Sequence, residues 1–165
     1  MKSKKIPAVL LTVGCFIFAI SGCGKSACKP VGIDSNYKCH ADMTQGDITY
    51  SADFQRGNEK TWKAVFTAPE TIEGMAVTLS EENCSIDFKG VSYSAPRSEF
   101  PQLGILNLFT LALEQCYDQS KVKSYKSGNV ITQQGKIEGM DFKAEFKNNK
   151  LKKIDIGNNI TIKIT

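Results

Sequence analysis

From Tyr37 onward, apolar and polar residues alternate, which is the period of a strand with one buried face. In "YKCHADMT" the inward set is Tyr37, Cys39, Ala41 and Met43. "DITYSADF" puts Ile48, Tyr50, Ala52 and Phe54 inside, with Asp47, Thr49, Ser51 and Asp53 outside. In "KTWKAVFTA" the shared face is Trp62, Ala64, Phe66 and Ala68. "MAVTL" offers Met75, Val77 and Leu79, and "CSIDFKG" offers Cys84, Ile86 and Phe88 before Gly90 ends it. Short polar turns join these five segments, so sequential neighbours are expected to pair antiparallel.

The next stretch, "GVSYSAPRS", reads as a loop, with Gly90 as its hinge and residues 91–99 as a gate. The period then changes. "FPQLGILNLFTLALEQC" (residues 100–116) is apolar almost all round, and its polar residues Asn107, Thr110 and Glu114 are spaced by three and four. That spacing leaves one narrow wet stripe on an otherwise apolar helix, with Pro101 suited to its first turn. Such a helix has to be enclosed. After it the alternation resumes, weakly in "SGNVITQQGKIEG" and strongly in "MDFKAEFK", where Met140, Phe142, Ala144 and Phe146 oppose Asp141, Lys143, Glu145 and Lys147. "LKKIDI" and "ITIKIT" complete the set. The tetrapeptide "IEGM" occurs at residues 72–75 and 137–140, each time entering a strand, and reads as shared turn chemistry.

Five strands, one enclosed helix and about four further strands predict a mainly β, α+β domain. A large antiparallel sheet tends to curl. The expected architecture is therefore a curved antiparallel sheet forming an unclosed half-barrel around a central apolar helix. That helix would be about 24 Å long, with its wet stripe at the open side.

The first 22 residues stand apart. Lys2, Lys4 and Lys5 precede an apolar run closed by small residues, the layout of a secretory signal peptide. Ile20-Ser21-Gly22-Cys23 resembles the bacterial lipobox, which implies diacylglycerol on the Cys23 sulfur and cleavage just before it. An uncleaved signal anchor and an ordinary secretory cleavage are the alternatives. The expected division is a lipoprotein signal peptide at 1–22, a lipid-anchored tether at 23–36 and the folded domain at 37–165. On this reading the protein is held at a bacterial membrane on its extracytoplasmic face. The tether reading rests on "GKSACKPVGIDSN", which is small, polar and broken by Pro30 and Gly32.

Charge follows from that division. The full chain of 165 residues carries a formal net charge of +4. Without its first 22 residues and their three lysines it keeps 143 residues, 18 basic and 17 acidic. A near-neutral, mixed surface gives no basic stripe for nucleic acid.

"WKAVFTAPETIEGMAVTLSEENCSIDFKG", the helix, and "IEGMDFKAEFKNNKLKKIDI" together resemble the LolA/LolB-like superfamily of bacterial lipoprotein carriers and their lipid-anchored receptors. The resemblance covers roughly residues 37–165 and lies in pattern and element order. It implies an unclosed half-barrel with a helical plug and an apolar cavity for acyl chains. The early-strand lining it implies is Tyr50, Phe54, Trp62, Phe66, Met75 and Leu79. Ile86, Phe88, Leu106, Phe109 and Phe142 would complete that lining. This chain departs from the soluble carriers in being tethered through Cys23, which argues against shuttling.

Catalytic constellations are missing from the sequence. The one histidine, His40, falls on the polar phase of its strand and reads as a solvated surface side chain. No phosphate-binding glycine loop, HExxH or GxSxG occurs. Asp47, Asp53, Asp87 and Glu145 alternate outward, as on a solvated sheet face. Neither a cofactor nor a metal is expected, and the chain is not expected to be an enzyme. Cys28, Cys39, Cys84 and Cys116 are too widely spaced for a zinc site, and four cysteines allow three disulfide pairings. The preferred pair is Cys84 with Cys116, pinning helix to sheet. The alternative is that the cysteines are small buried hydrophobes.

Two functions remain. One is a membrane-anchored lipoprotein that buries a hydrophobic ligand, a lipid or acyl chain, in a half-barrel cavity. The other is a ligand-free anchored module of the cell envelope that presents its outer face to a partner protein.

Overall fold

The computed structural model describes residues 26–100 and 104–165. Pro101 and the N-terminal segment, including Cys23, lie outside them. In chain order the strands are β1 (Ser26–Ala27), β2 (Lys38–Gln45), β3 (Ile48–Arg56), β4 (Trp62–Ala68), β5 (Ala76–Leu79), β6 (Asn83–Phe88) and β7 (Val91–Pro96). A single 3-10 turn at Arg97–Glu99 leads to the helix α1 (Gly104–Asp118). The chain continues with β8 (Lys123–Ser127), β9 (Val130–Ile137), β10 (Met140–Lys147), β11 (Lys150–Ile156) and β12 (Ile160–Ile164).

The twelve strands of the described residues belong to one unclosed antiparallel sheet, in the order β1-β8-β9-β10-β11-β12-β2-β3-β4-β5-β6-β7. The two runs of strands meet where β12 pairs β2, with Ile162 opposite Met43 and Ile164 opposite Ala41. Those four residues are buried, so apolar burial on both strands fixes the register; a slip of one residue would turn each strand's apolar row to water. The consequence for the helix is topological. The chain leaves one edge of the sheet at β7 and re-enters beside the other edge at β8, and α1 makes that crossing.

The inward phases match the sequence pattern over most strands. Ala41, Met43, Ala52, Phe54, Trp62, Ala64, Phe66, Val77, Leu79 and Cys84 are all buried. Ile48 differs, being 56 % exposed. It opens β3 next to the hairpin turn, beyond the reach of the core. The two IEGM turns share their glycine conformation, Gly74 and Gly139 both at φ of +80°, which costs a Cβ-bearing residue about 1–2 kcal/mol. They differ at the preceding glutamate, with φ of −55° at Glu73 and +46° at Glu138.

Three elements differ from the sequence expectation. The loop and gate expected at residues 91–99 is largely strand: β7 pairs β6 over six positions, from Phe88 opposite Val91 to Asn83 opposite Pro96. Val91, Tyr93 and Ala95 share the face of Phe88, Ile86 and Cys84 opposite them, yet Val91 and Tyr93 are 71 % and 57 % exposed, because this edge strand lies beyond the cover of the helix. β8 is also absent from the expected set. Its inward residue is Ser124, which faces Gln133 of β9 in register, and both are buried. The third difference is the tether. Its residues 26–27 form β1 against β8, the Cys28 N–H donates to the Ser124 carbonyl at 3.0 Å, and Gln133 Nε2 donates to the Val31 carbonyl at 2.7 Å. Ile33 joins the core, so the segment after residue 25 is docked along the domain.

Candidate functional site: a groove beside the helix

The helix buries Leu106, Leu108, Phe109, Ala112, Leu113 and Cys116. Phe109 meets Phe54 edge-to-face at 4.8 Å between ring centroids. The polar stripe is occupied too, by groups reaching in from the sheet and its turns. Glu114 accepts from Arg56 at both carboxylate oxygens, Nε to Oε1 at 2.8 Å and Nη2 to Oε2 at 3.1 Å. Trp62 Nε1 donates to the same Oε1 at 2.7 Å. Asn107 accepts from Arg97 Nη2 and donates to Glu138 at 3.3 Å. Thr110 is 2 % exposed, and its hydroxyl donates to the Asn107 carbonyl at 3.0 Å. The stripe is therefore bonded to protein groups as well as facing open space.

That open space is a groove of about 1000 Å³. Asn107, Thr110 and Glu114 form one wall, with Trp62, Leu111 and Ile137 among its apolar members. Its cations are Arg56, Lys60, Arg97, Lys121 and Lys136; its acids are Glu81, Glu114, Asp118 and Glu138. The rim is polar and nearly balanced in charge. A second cleft, about 350 Å³, adjoins it and is more apolar, with Leu79, Phe100, Leu108 and Met140 in its walls.

The eleven residues expected to line an acyl cavity mostly fill the core. Phe54, Trp62, Phe66, Leu79, Leu106, Phe109 and Phe142 are buried, while Tyr50, Met75, Ile86 and Phe88 are half-buried. Trp62 borders the groove and Leu79 the apolar cleft.

Arg56 is the residue that strand reasoning passed over. It is 7 % exposed, and it follows Phe54 by two positions, so extending the inward row of β3 by one member finds it. Its Nη1 donates to the Ser35 carbonyl at 3.0 Å, and its guanidinium lies 3.9 Å over the Tyr117 ring. Hydrogen bonding to Glu114 drives its pKa above the ordinary guanidinium value, against burial, which pulls the other way.

The expected Cys84–Cys116 disulfide does not form. Cys28, Cys39, Cys84 and Cys116 all carry free thiols. Cys84 lies in β6 within the field of Arg97, whose guanidinium bonds Asn107. Cys116 is nine residues further along the helix, about 13 Å at 1.5 Å per residue, beside Tyr37. A disulfide needs Cα atoms within about 7 Å. Burial pushes the Cys116 thiol up to about 12. Cys39 is also raised to about 12, burial outweighing the lowering by its hydrogen bond with Tyr37. Thiols held protonated in this way are poor nucleophiles.

His40 is on the surface, as its phase predicts, but it has a partner: Nδ1 lies 2.8 Å from Asp53 Oδ1 on the neighbouring strand. Among the described residues no three His, Cys, Asp or Glu side chains gather in a way that could hold a metal ion. None of the described helices is long and apolar enough to cross a membrane. No protein-family model matches this chain, and no curated protein matches it either.

Proposed function

We propose that this protein is a lipid-anchored, extracytoplasmic lipoprotein of a bacterial membrane that holds a hydrophobic or amphiphilic ligand between its helix and its sheet. The reading takes the sheet as a half-barrel wrapped on α1. Its support is a pair of adjacent helix residues: Glu114 bonds Arg56 of β3 and Trp62 of β4, while Gln115 donates to the Lys136 carbonyl of β9. In the sheet order β9 and β4 are six steps apart, about 29 Å along a flat sheet at roughly 4.8 Å per step. A helix is about 10–12 Å wide, so a sheet touching it at both places has to bend. The lipobox at Cys23 and the resemblance in element order to the lipoprotein carriers and receptors point the same way.

The observation that carries ligand holding is the groove of about 1000 Å³ continuing into the apolar cleft. Small-molecule sites span roughly 300–1,000 Å³, and each buried CH₂ contributes about 0.8 kcal/mol, set against the cost of ordering the ligand. Binding would be burial without chemistry. The test is native mass spectrometry and solvent extraction of the purified protein, with uptake of a fluorescent fatty acid. Co-purifying lipid or saturable uptake is the expected result; a protein that carries nothing and takes up nothing overturns the reading.

The alternative, a ligand-free anchored module, draws on one observation. Among the described residues β7 is an unpaired sheet edge carrying exposed Val91 and Tyr93, and such an edge can accept a strand from a partner protein. Crosslinking through position 93 that captures an envelope protein, without ligand uptake, would favour it.

A further inference from the structure

Two arginines face the groove, and their electrostatic situations differ. Arg56 is neutralised by Glu114. Arg97 donates from Nη1 to the Ser80 carbonyl at 2.8 Å and from Nη2 to Asn107 Oδ1 and to Thr110 Oγ1 at 3.4 Å. All of these acceptors are neutral, and among the described residues Arg97 makes no ion pair. The residues outside the described set contain no Asp or Glu, so they supply no side-chain carboxylate either. Burial lowers the guanidinium pKa of Arg97, outweighing the opposing influence of the Cys84 thiol and of Glu138, which lies beyond ion-pair distance. A partly buried charge without a counter-ion is costly, and an arriving oxyanion would supply one.

The position of Arg97 gives that oxyanion a particular neighbourhood. The groove and the apolar cleft share Arg97, Ser98, Asn107 and Glu138. On one side of the guanidinium is wide, polar space. On the other is the cleft walled by Leu79, Phe100, Leu108 and Met140. A guanidinium presents its donors in a planar fork that fits carboxylate and phosphate.

We infer that Arg97 receives the oxyanion head group, carboxylate or phosphate ester, of a single-chain amphiphile whose tail lies in the Leu79–Leu108–Met140 cleft. This rests on the ligand-holding reading above and specifies its ligand. Charge selects the head and the apolar cleft selects the tail, so neither a free anion nor a neutral chain satisfies both.

Trp62 is the sole tryptophan of the chain and borders the groove, so its fluorescence reports occupancy. The full-length protein in phosphatidylcholine vesicles is titrated with octanoate, octyl phosphate and 1-octanol, with protein-free vesicles correcting for partition. The expected result is that both anions bind at least tenfold tighter than the alcohol, and that Arg97→Gln brings the ratio to about one. Equal binding of acid and alcohol by the unmodified protein overturns this inference and leaves ligand holding intact. No binding of any of the three overturns ligand holding, and this inference with it. Displacement of octanoate by millimolar inorganic phosphate overturns the amphiphile and assigns the site to a free oxyanion. Should Arg97→Gln fail to fold, the ratio measured on the unmodified protein still decides.

Discussion

Arg56 and Glu114, 58 positions apart in the chain, form a two-pronged ion pair that ties the inward row of β3 to the polar stripe of α1, Nε to Oε1 at 2.8 Å. Both side chains are largely withdrawn from water. Removing one partner of a buried pair leaves the other charge uncompensated, at a cost of about 3–5 kcal/mol. Glu114→Ala should therefore lower the urea midpoint substantially. The double change Arg56→Met, Glu114→Leu should recover much of that loss, because two matched apolar side chains have no charge to desolvate. An unmoved midpoint in Glu114→Ala would mean that water already screens the pair.

Phe109 is buried against Phe54. Phe109→Ala removes most of a packed ring, and the expected loss is about 3–5 kcal/mol. Phe66→Ala, buried near the edge of Tyr50 with rings 6.2 Å apart, should fall in the same range. Chemical denaturation checks both. A loss under about 1 kcal/mol at Phe109 would indicate spare volume around the ring and would favour an apolar pouch there.

The docked N-terminal segment is expected to contribute to stability. Burying Ile33 is worth about 1.5–3 kcal/mol, and the bonds from the Cys28 N–H to the Ser124 carbonyl and from Gln133 Nε2 to the Val31 carbonyl each add about 1 kcal/mol. Starting the domain at residue 37 should then cost about 3–5 kcal/mol in urea unfolding. A truncated protein as stable as the longer one would restore the picture of a loose tether.

Stability should decline in alkali. Burial pushes the Cys116 and Cys39 thiols up to about 12 in the folded protein, from 9.0 for a free thiol. A thiol raised on folding leaves stability intact below pH 9; the stability is then lost between about pH 9 and 12, as the unfolded thiol ionises and the folded one resists. Tyr37, raised by the same burial, adds to the decline above pH 10. Cys116→Ala should flatten the fall between pH 9 and 12 without abolishing it. Identical slopes in the two proteins would place Cys116 in contact with water. At neutral pH, thiol titration of the unreduced protein in denaturant should find Cys28, Cys39, Cys84 and Cys116 all reactive.

Legibility in the sequence followed hydrophobicity. Strands β2 to β6 and β10 to β12 could be read because one row of each is apolar and the other polar, and α1 because its apolar positions run nearly all round. β7 does alternate, Val91, Tyr93 and Ala95 against Ser92 and Ser94, but so short a run between Gly90 and Pro96 reads as a loop, and as an edge strand it leaves Val91 and Tyr93 exposed. β8 could not be read, because it sets Ser124 inward against Gln133. A strand whose buried residues are polar gives no period-two signal. The groove was half legible. Asn107, Thr110 and Glu114 marked one wall of it; the inward row of β3 extended to Arg56 without naming its partner, and Arg97, in the turn after β7, had no periodic signal at all.

The sequence by itself determined the local choices: where the chain extends, where it coils, which residues of each element avoid water, and where glycine permits a turn. Those choices depend on neighbours a few positions apart. The tertiary structure decided what depends on residues far apart in the chain. It joined β12 to β2, matched Arg56 to Glu114 across 58 positions, left Arg97 without a carboxylate, and kept Cys84 and Cys116 unpaired. Alternation records that a side chain leaves water, and says nothing of which group it meets there.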